Sequence, residues 1–194
     1  MTIRHVPSVR RQGEHVEFIE SATDARNFAI LRQSVTDFIA ELATEFDGDD
    51  VRVLDIAPES HAGAVASFVQ GRVETMDIDP ASGATYIADL CSDNSMVVPD
   101  ASFDVIVCTE VLEHTLRPWD AVIELRRMLR PGGVLGVTTP FNFRIHGPAP
   151  DCWRFTDDGL RSLLSDFEAV SVVEIPDPDR PRMPVHYQTV ARKA

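Results

Sequence analysis

Short runs of β-branched and apolar residues alternate along the chain with segments of helical periodicity, and this alternation restricts the fold more than any other feature. Strands separated by helices pair in parallel, because a parallel connection has to cross back over the sheet and a helix usually makes that crossing. The five runs that predict such strands are 51–56, 72–78, 85–87, 103–109 and 134–139. The sequence therefore predicts a parallel sheet with helices on its faces.

The remaining segments predict helices and one hairpin. Ser21 resembles an N-terminal cap, and Pro118 and Thr156 begin two further helical patterns. An alanine-rich stretch, 61–70, predicts a helix after the first strand. The last two strand-like runs are 169–175 and 186–191, with no helix between them. The predicted fold class is α/β: a doubly wound, mostly parallel seven-stranded sheet with an antiparallel C-terminal hairpin.

Length and charge limit the number of domains and the partners. The 194 residues fit one domain, divided into an N-terminal arm and cap helix at 1–49 and a core at 50–194. A net charge of −13 argues against nucleic acid and anionic membranes, since both require a basic face. Three cysteines at unrelated spacings indicate neither a disulfide framework nor a zinc site. Without a membrane-length apolar run or a signal-peptide pattern, we expect a cytoplasmic protein.

Acidic and polar residues follow the predicted strands at their carboxyl ends. Ligands of open α/β sheets bind at that edge, near the point where the strand order reverses. The candidate positions are 55–60, 77–79, Asp89 and 109–114. The Asp77 carboxylate could accept both hydrogens of a ribose diol, or it could bond backbone N–H groups in a turn. The residues themselves leave both alternatives open.

Several stretches carry a family resemblance in the order that the family requires. They are VLDI at 53–56, TMDID at 75–79, ADL at 88–90, SFDVIV at 102–107, EVLEH at 110–114 and LRPGGVL at 129–135. In these stretches the chain resembles the class I S-adenosylmethionine-dependent methyltransferases, especially the small-molecule group called type 11. The last three stretches resemble the family patterns FDxVxxxxxLEH and LxPGGxL. The resemblance covers about residues 50–191.

The resemblance implies a Rossmann-like fold, methyltransferase activity and S-adenosylmethionine as the cofactor. It implies that Asp77 holds the ribose hydroxyls, that Asp89 receives the adenine amino group and that Leu90 lies beside the ring. The other cofactor-binding residues that we expect are Asp55, Ala57, Pro58, Glu59, Ile78, Thr109 and Glu110.

One loop departs from the family pattern D-x-G-x-G-x-G. In that register Ala57, Glu59 and His61 replace the three glycines, so each position carries a Cβ that narrows the cleft. Either the loop takes another path and Glu59 or Ser60 contacts the methionine part of the cofactor, or cofactor binding is weakened or lost. The Glu59 carboxylate would suit the ammonium and sulfonium of the cofactor, which favours retained binding.

The segment 140–155 is longer than a usual connection, which is typical of a functional loop. Its proline-phenylalanine start, histidine and D-x-W-R-F ending are similar to methyltransferases of glycan and natural-product pathways. We expect a lid in which Phe141, Trp153 and Arg154 bind the acceptor. The alternative is that Arg154 pairs with Asp151 and that Trp153 only packs the lid.

A hydroxyl acceptor has to lose a proton, and a histidine that titrates near neutral pH is the natural base. The candidates are His146 in the lid and His114 after the fourth strand, and Asp151 could orient either one. His114 could equally be structural. These residues could instead hold a divalent cation that orients a diol, but no spacing requires one, so no metal site is predicted.

The sequence thus predicts a methyltransferase that acts on a small-molecule or sugar acceptor, more readily at oxygen than at nitrogen. The alternative is a non-catalytic or degenerate ligand-binding protein of the same fold. A macromolecule-modifying enzyme is disfavoured by the acidic charge, and a dinucleotide dehydrogenase by the lack of G-x-G-x-x-G. The small cap predicts a partly open pocket that a second subunit of a homodimer could complete.

Overall fold

The computed structural model describes residues 21–58 and 63–194, and a seven-stranded sheet with helices on both faces forms its centre. The helices are α1 (Ala22–Phe46), α2 (Pro118–Met128) and α3 (Asp157–Leu163). The strands are β1 (Arg52–Ile56), β2 (Arg72–Asp77), β3 (Tyr86–Ile87), β4 (Phe103–Thr109), β5 (Leu129–Pro140), β6 (Ala169–Ile175) and β7 (His186–Arg192). Two 3₁₀ turns, Ala64–Ala66 and Leu112–His114, follow β1 and β4.

The strand order is β3-β2-β1-β4-β5-β7-β6. The strands from β3 to β5 pair in parallel, and β7 pairs antiparallel with both β5 and β6. This arrangement confirms the predicted α/β sheet and its C-terminal hairpin. The chain moves outward from β1 to β3 on one side and then returns to β4 on the other side. The crevice beyond the carboxyl ends of β1 and β4 is therefore the expected ligand position.

Helix α1 covers one face of the sheet. It begins at Ser21, whose Oγ accepts a hydrogen bond of 3.0 Å from the backbone N–H of Asp24, as the cap pattern predicts. Its buried side includes Leu31, Val35, Phe38, Ile39 and Leu42. A Cβ added at Gly136 of β5 would lie 2.4 Å from Cδ1 of Leu42, so the helix packs directly on that strand. Helix α1 thus builds a core as well as a cap, and the division at residue 49 stays a prediction.

Helices α2 and α3 cover the opposite face. Pro118 is at the start of α2, and the Oγ1 of Thr156 caps α3 by accepting the backbone N–H of Gly159 at 3.1 Å. The buried side chains of this second core include Leu54, Ile106, Leu125, Met128, Leu135 and Leu160. Both helices were predicted from their caps and apolar periodicity.

The helix predicted for 61–70 is wrong over the part that the structure describes. Only the 3₁₀ turn Ala64–Ala66 forms there. The carboxylate of Asp47 accepts the backbone N–H groups of Val69, Gln70 and Gly71 at 2.8–3.3 Å. Those N–H groups are consequently not available to helical carbonyls, and the chain turns directly into β2.

Three further sequence expectations concern surroundings and covalent state. The predicted arm and the loop residue Glu59 lie outside the described residues. No helix among the described residues has both the length and the hydropathy to span a membrane. The cysteines are free thiols, with Cys91 and Cys108 buried and Cys152 exposed.

Candidate active site

A cavity of about 430 Å³ lies at the carboxyl ends of the strands, in the crevice between β1 and β4. Helix α1 lines it with Phe28, Leu31 and Val35, and the lid segment 140–155 lines it with residues that include Phe143, whose ring centroid lies 6.3 Å from that of Phe28. Its volume lies in the range of small-molecule sites. The predicted site residues on its wall are Ala57, Asp77, Ile78, Asp89, Leu90, Thr109, Glu110, His114 and His146.

The loop after β1 is anchored to Asp55. One carboxylate oxygen of this buried residue accepts the backbone N–H of Ala64 at 2.6 Å, and the other has no partner among the described residues. Burial raises the pKa of Asp55 to about 6. Gly63 has a φ of +55°, and a Cβ there would lie 2.4 Å from the Asp55 carboxylate and 2.9 Å from Cβ of Pro58. The loop therefore requires a glycine at 63, two residues beyond the expected register.

Ala57 occupies the first glycine position of the family pattern and adopts a glycine-like backbone. Its φ is +49°, in the left-handed region, and its backbone N–H donates to the carbonyl of Met76 at 2.8 Å. An alanine in this region costs about 1–2 kcal/mol. The chain thus adopts at this position a backbone conformation that favours glycine, although the glycine itself is absent.

Asp77 ends β2 and lies on the cavity wall, where only 8% of it is exposed. Its Oδ1 accepts the backbone N–H of Asp79 at 2.8 Å. One oxygen thus makes the turn contact that the sequence left as an alternative. Ile78, with 68% of its surface exposed, lies next to it on the same wall. A carboxylate beside an exposed apolar side chain suits a ribose with an attached ring.

Asp89 and Leu90 form the next section of the wall. The Asp89 carboxylate accepts the backbone N–H of Cys91 at 2.8 Å, and Leu90 is buried. At the end of β4, Thr109 is buried, and Glu110 has a φ of +54° with its carboxylate 3.4 Å from Nδ1 of His186. Such a strained backbone at a strand end is characteristic of functional sites.

Glu113 lies behind this wall in the 3₁₀ turn after β4. Its carboxylate is fully buried, and neither oxygen has a hydrogen-bond partner among the described residues. Burial, together with the nearby Glu110, raises the pKa of Glu113 well above its usual range. A buried carboxyl group without a partner is costly, so it points to a role that the protein's own contacts do not fulfil.

The two candidate histidines meet next to Glu113. The imidazole rings of His114 and His146 lie 4.8 Å apart between centroids. The Nδ1 of His114 donates to the carbonyl of Pro150 at 2.8 Å, and Nδ1 of His146 lies 3.1 Å from the Asp151 carboxylate. Burial lowers the pKa of His146. Lid folding therefore brings His146 and Asp151 next to His114, which is more than thirty residues earlier in the sequence, and the catalytic role of these three residues stays a prediction.

Arg154 holds the lid through Asp151. Its guanidinium binds both carboxylate oxygens of Asp151 and donates to the carbonyl groups of Arg144 and Trp153. These hydrogen bonds lower the pKa of Asp151, which is buried and stays ionised. The pairing that the sequence left as the alternative for Arg154 is the one that forms.

The cavity wall does not include the three lid residues that were predicted to bind the acceptor. Phe141 packs edge-on against Tyr187, with ring centroids 5.8 Å apart. The indole N–H of Trp153 donates to the carbonyl of Thr115 at 2.8 Å, and Arg154 is occupied by Asp151. Phe143 is instead the lid phenylalanine that faces the cavity. These three side chains thus make structural contacts here, and their role in acceptor binding stays a prediction.

A family model for a methyltransferase domain, Methyltransf_11, matches residues 35–137, which is more than half of the chain. The chain belongs to this family. The match confirms the family resemblance of the motifs. A probable S-adenosylmethionine-dependent methyltransferase of Mycolicibacterium smegmatis is 37% identical over 89 residues, which are 42% of this chain and 35% of that relative. The chain thus matches only about a third of the length of this curated relative.

Solved structures confirm the Rossmann-like fold. An S-adenosylmethionine-dependent methyltransferase from Thermotoga maritima has a TM-score of 0.61 at 14% identity, covering 88% of this chain and 94% of its own. The Burkholderia thailandensis 1,6-didemethyltoxoflavin-N1-methyltransferase has a TM-score of 0.58 at 21% identity, with coverages of 91% and 85%. The [4+2]-cyclase SpnF has a TM-score of 0.56 at 19% identity, with coverages of 82% and 80%. The likeness is one of fold, and the fold does not fix the reaction.

The cofactor that this family implies is S-adenosylmethionine, and the residues of the cleft fit it. Asp77 and Ile78 provide the carboxylate and apolar surface for a nucleoside, and Asp89 lies next to them. Several carboxylates line the cavity, which suits a cofactor that carries a sulfonium and an ammonium group.

Three site residues were missed at the sequence level. Glu113 lies inside the EVLEH stretch, but its burial depends on the lid above it. Gly63 could have been found as the first glycine after β1. Phe143 could not have been chosen over Phe141 without the path of the lid.

Proposed function

We propose that the chain is an S-adenosylmethionine-dependent methyltransferase that acts on a hydroxyl group of a small-molecule or sugar acceptor. The observation that carries this proposal is that one cavity is lined by the strand-end acidic residues Asp77 and Asp89 and by the histidine pair His114 and His146. A cofactor half and a proton-accepting half thus share a single space, as a one-step group transfer requires.

The cofactor half would hold the nucleoside and exclude water. Asp77 would accept the ribose hydroxyls, Ile78 and Leu90 would pack on the adenine, and Asp89 would receive its amino group. When bound, S-adenosylmethionine supplies the methyl group from its sulfonium. Glu110, at the end of β4, would place its negative charge toward the cationic part of the cofactor.

The acceptor half would orient the hydroxyl group and take its proton. The Nδ1 of His146 donates to the carbonyl of Arg144 at 3.3 Å and lies 3.1 Å from the Asp151 carboxylate, so the Nε2 lone pair is the basic position of this ring. The Nδ1 of His114 donates to the carbonyl of Pro150, so its Nε2 likewise carries the lone pair. These contacts favour an oxygen acceptor, since a neutral amine needs no base before methyl transfer.

A second candidate is a ligand-binding protein of the same fold that carries out no methyl transfer. The left-handed alanine at Ala57, in place of a glycine, favours it, because a Cβ at this position narrows the approach to the cofactor. The occurrence of the fold in a [4+2]-cyclase is consistent with chemistry other than methyl transfer.

Calorimetric titration with S-adenosylmethionine, followed by product masses over a panel of sugar and phenolic acceptors, tests the proposal. We expect micromolar cofactor binding and a gain of one methyl mass on a hydroxyl compound. No binding at millimolar cofactor would refute it, and binding without any methylated product would favour the ligand-binding alternative. Nitrogen acceptors in the same panel distinguish O- from N-methylation.

The remaining expectations concern partners and location. We propose a small-molecule acceptor and no nucleic-acid substrate, on the support of the net charge of −13. A homodimer that completes the open side of the cleft, and a cytoplasmic location, stay predictions. Sedimentation of the purified protein, with and without cofactor, tests the first of these.

A further inference from the structure

Two imidazoles and a carboxylate on the acceptor side of the cleft have the composition of a metal site. The ligand-capable atoms of Glu113, His114 and His146 all lie within 4.8 Å of one another. The Nε2 atoms of His114 and His146 lie 3.6 and 3.9 Å from Oε1 of Glu113. Two histidines and one glutamate bind zinc and related dications and leave a coordination position open.

Both imidazoles are oriented as metal ligands usually are. The Nδ1 of His114 faces the Pro150 carbonyl, and Nδ1 of His146 faces the ionised Asp151. A carbonyl and a carboxylate only accept, so each Nδ1 carries the proton and each Nε2 presents a lone pair. Outer contacts of this kind fix the tautomer and ring position of metal-binding histidines.

Glu113 is an independent indication. Its side chain is fully buried, and neither carboxylate oxygen has a partner among the described residues. Its Oε1 is nevertheless the atom that both Nε2 atoms approach. Lone pairs that face one another in a buried space are unfavourable unless a cation or a shared proton lies between them.

We propose that Glu113, His114 and His146 bind one divalent transition-metal ion of the zinc class. Tetrahedral coordination at about 2.0–2.2 Å requires ligand atoms roughly 3.4 Å apart. The widest separation of 4.8 Å would have to contract, through small movements of the two partly buried rings. The cavity reaches both histidines and provides the path of entry. The sequence did not predict this site, because only the lid brings His146 to the EVLEH stretch.

The open coordination position would take the acceptor oxygen, and the ion would lower the pKa of that hydroxyl group. This role rests on the proposed methyl transfer, whereas the metal site does not. With an ion bound, both Nε2 atoms are ligands, so the imidazole base described above belongs to the metal-free protein. In the metal-bound protein the ion activates the hydroxyl group, and the released proton passes to water in the cavity.

Titration of the chelator-treated, tag-free protein with Co²⁺ and Zn²⁺ tests the site. We expect one equivalent of Co²⁺ with the visible absorption of a tetrahedral ion, displaced by Zn²⁺ and not by Mg²⁺. Glu113→Gln keeps the shape of the side chain and should weaken Zn²⁺ binding at least 100-fold. Cys152→Ser, which removes the exposed thiol of the lid, is the matched control and should bind as the wild type does.

Unfolding temperatures and cofactor titrations on the same samples separate the outcomes. Zn²⁺ should raise the unfolding temperature of the wild type and not of Glu113→Gln, which shows whether that variant folds. No stoichiometric ion in the wild type, or equal binding by Glu113→Gln, overturns the site and indicates a shared proton instead. If the cofactor still binds in that case, the proposed methyltransferase stands. If the ion binds and the cofactor does not, the proposed function is refuted and the metal site stands.

Discussion

At the scale of single residues, a comparison of Asp77 with Asp79 tests the proposed role of Asp77 in cofactor binding. Both carboxylates accept a backbone N–H two residues on, at 2.8 Å, but only Asp77 lies on the cavity wall. We expect Asp77→Ala to weaken S-adenosylmethionine binding about 10–100-fold, because it removes hydrogen bonds to a charged acceptor. Asp79→Ala loses a similar turn contact and should change the affinity by less than about threefold. Calorimetry on both variants measures the difference, and equal losses would contradict the placement of Asp77.

His146 provides the second residue-scale prediction. His146→Ala removes one imidazole from the acceptor side and leaves the cofactor side unchanged. We expect turnover to fall about 10²–10⁴-fold, while the affinity for S-adenosylhomocysteine stays within about twofold. Initial rates with an identified acceptor and calorimetry measure the two quantities. If only His114→Ala abolishes turnover, the base is His114. Equal losses in both variants indicate that the imidazoles act jointly.

At the scale of elements, the loop between β1 and β2 depends on one glycine. Gly63→Ala would place a methyl group 2.4 Å from the Asp55 carboxylate at a φ of +55°. Backbone strain and overpacking together should lower the free energy of unfolding by about 2–5 kcal/mol. Gly83→Ala is the matched control, because Gly83 also has a positive φ, of +74°, but no atom within 4 Å of an added Cβ. It should cost only about 1–2 kcal/mol.

Urea unfolding of both glycine variants measures these free energies. Cofactor titration shows whether a change in the loop also changes the affinity for S-adenosylmethionine. We expect Gly63→Ala to lose affinity as well as stability, since the loop contributes Ala57 to the cavity wall. Equal destabilisation by the two substitutions would show that the contact with Asp55 is unimportant.

The elements show why parts of the structure could be predicted from sequence. Helices α1 and α3 carry their caps and apolar periodicity locally, so their starts were predictable. The helix expected for 61–70 failed because Asp47, more than twenty residues earlier, takes the N–H groups that it needs. A contact of that range has no local pattern.

At the scale of the whole molecule, the site also has parts that follow from the order of the strands and parts that depend on contacts between residues distant in sequence. The strand-end residues were predictable, because the order of a doubly wound sheet fixes which ends meet. The buried environment of Glu113 and the choice of Phe143 over Phe141 depend on how the lid folds back over β4. The ion pair of Arg154 and Asp151 holds the lid, and Asp151 also accepts the backbone N–H of His146 on the cavity wall.

The stability of the whole molecule should depend on pH through Asp55. Burial raises the pKa of this carboxyl group from 3.8 to about 6, so the folded state binds its proton more tightly than the unfolded chain does. Stability then falls as the pH rises from about 4 to about 6, because ionisation is easier in the unfolded chain. The full shift corresponds to about 3 kcal/mol as an upper value. The nearby thiol of Cys108 is fully buried, and burial raises its pKa, so it stays neutral throughout this range.

Asp55→Asn isolates this contribution from those of other carboxyl groups. The amide keeps the acceptor for the Ala64 N–H and cannot ionise. We expect the wild type to lose up to about 3 kcal/mol more than the variant between pH 4 and pH 7, measured by urea unfolding at several pH values. The difference between the two curves removes the effect of groups that both proteins share. Parallel curves would mean that Asp55 ionises as easily in the folded protein as in the unfolded chain, and that its burial against Ala64 does not persist in solution.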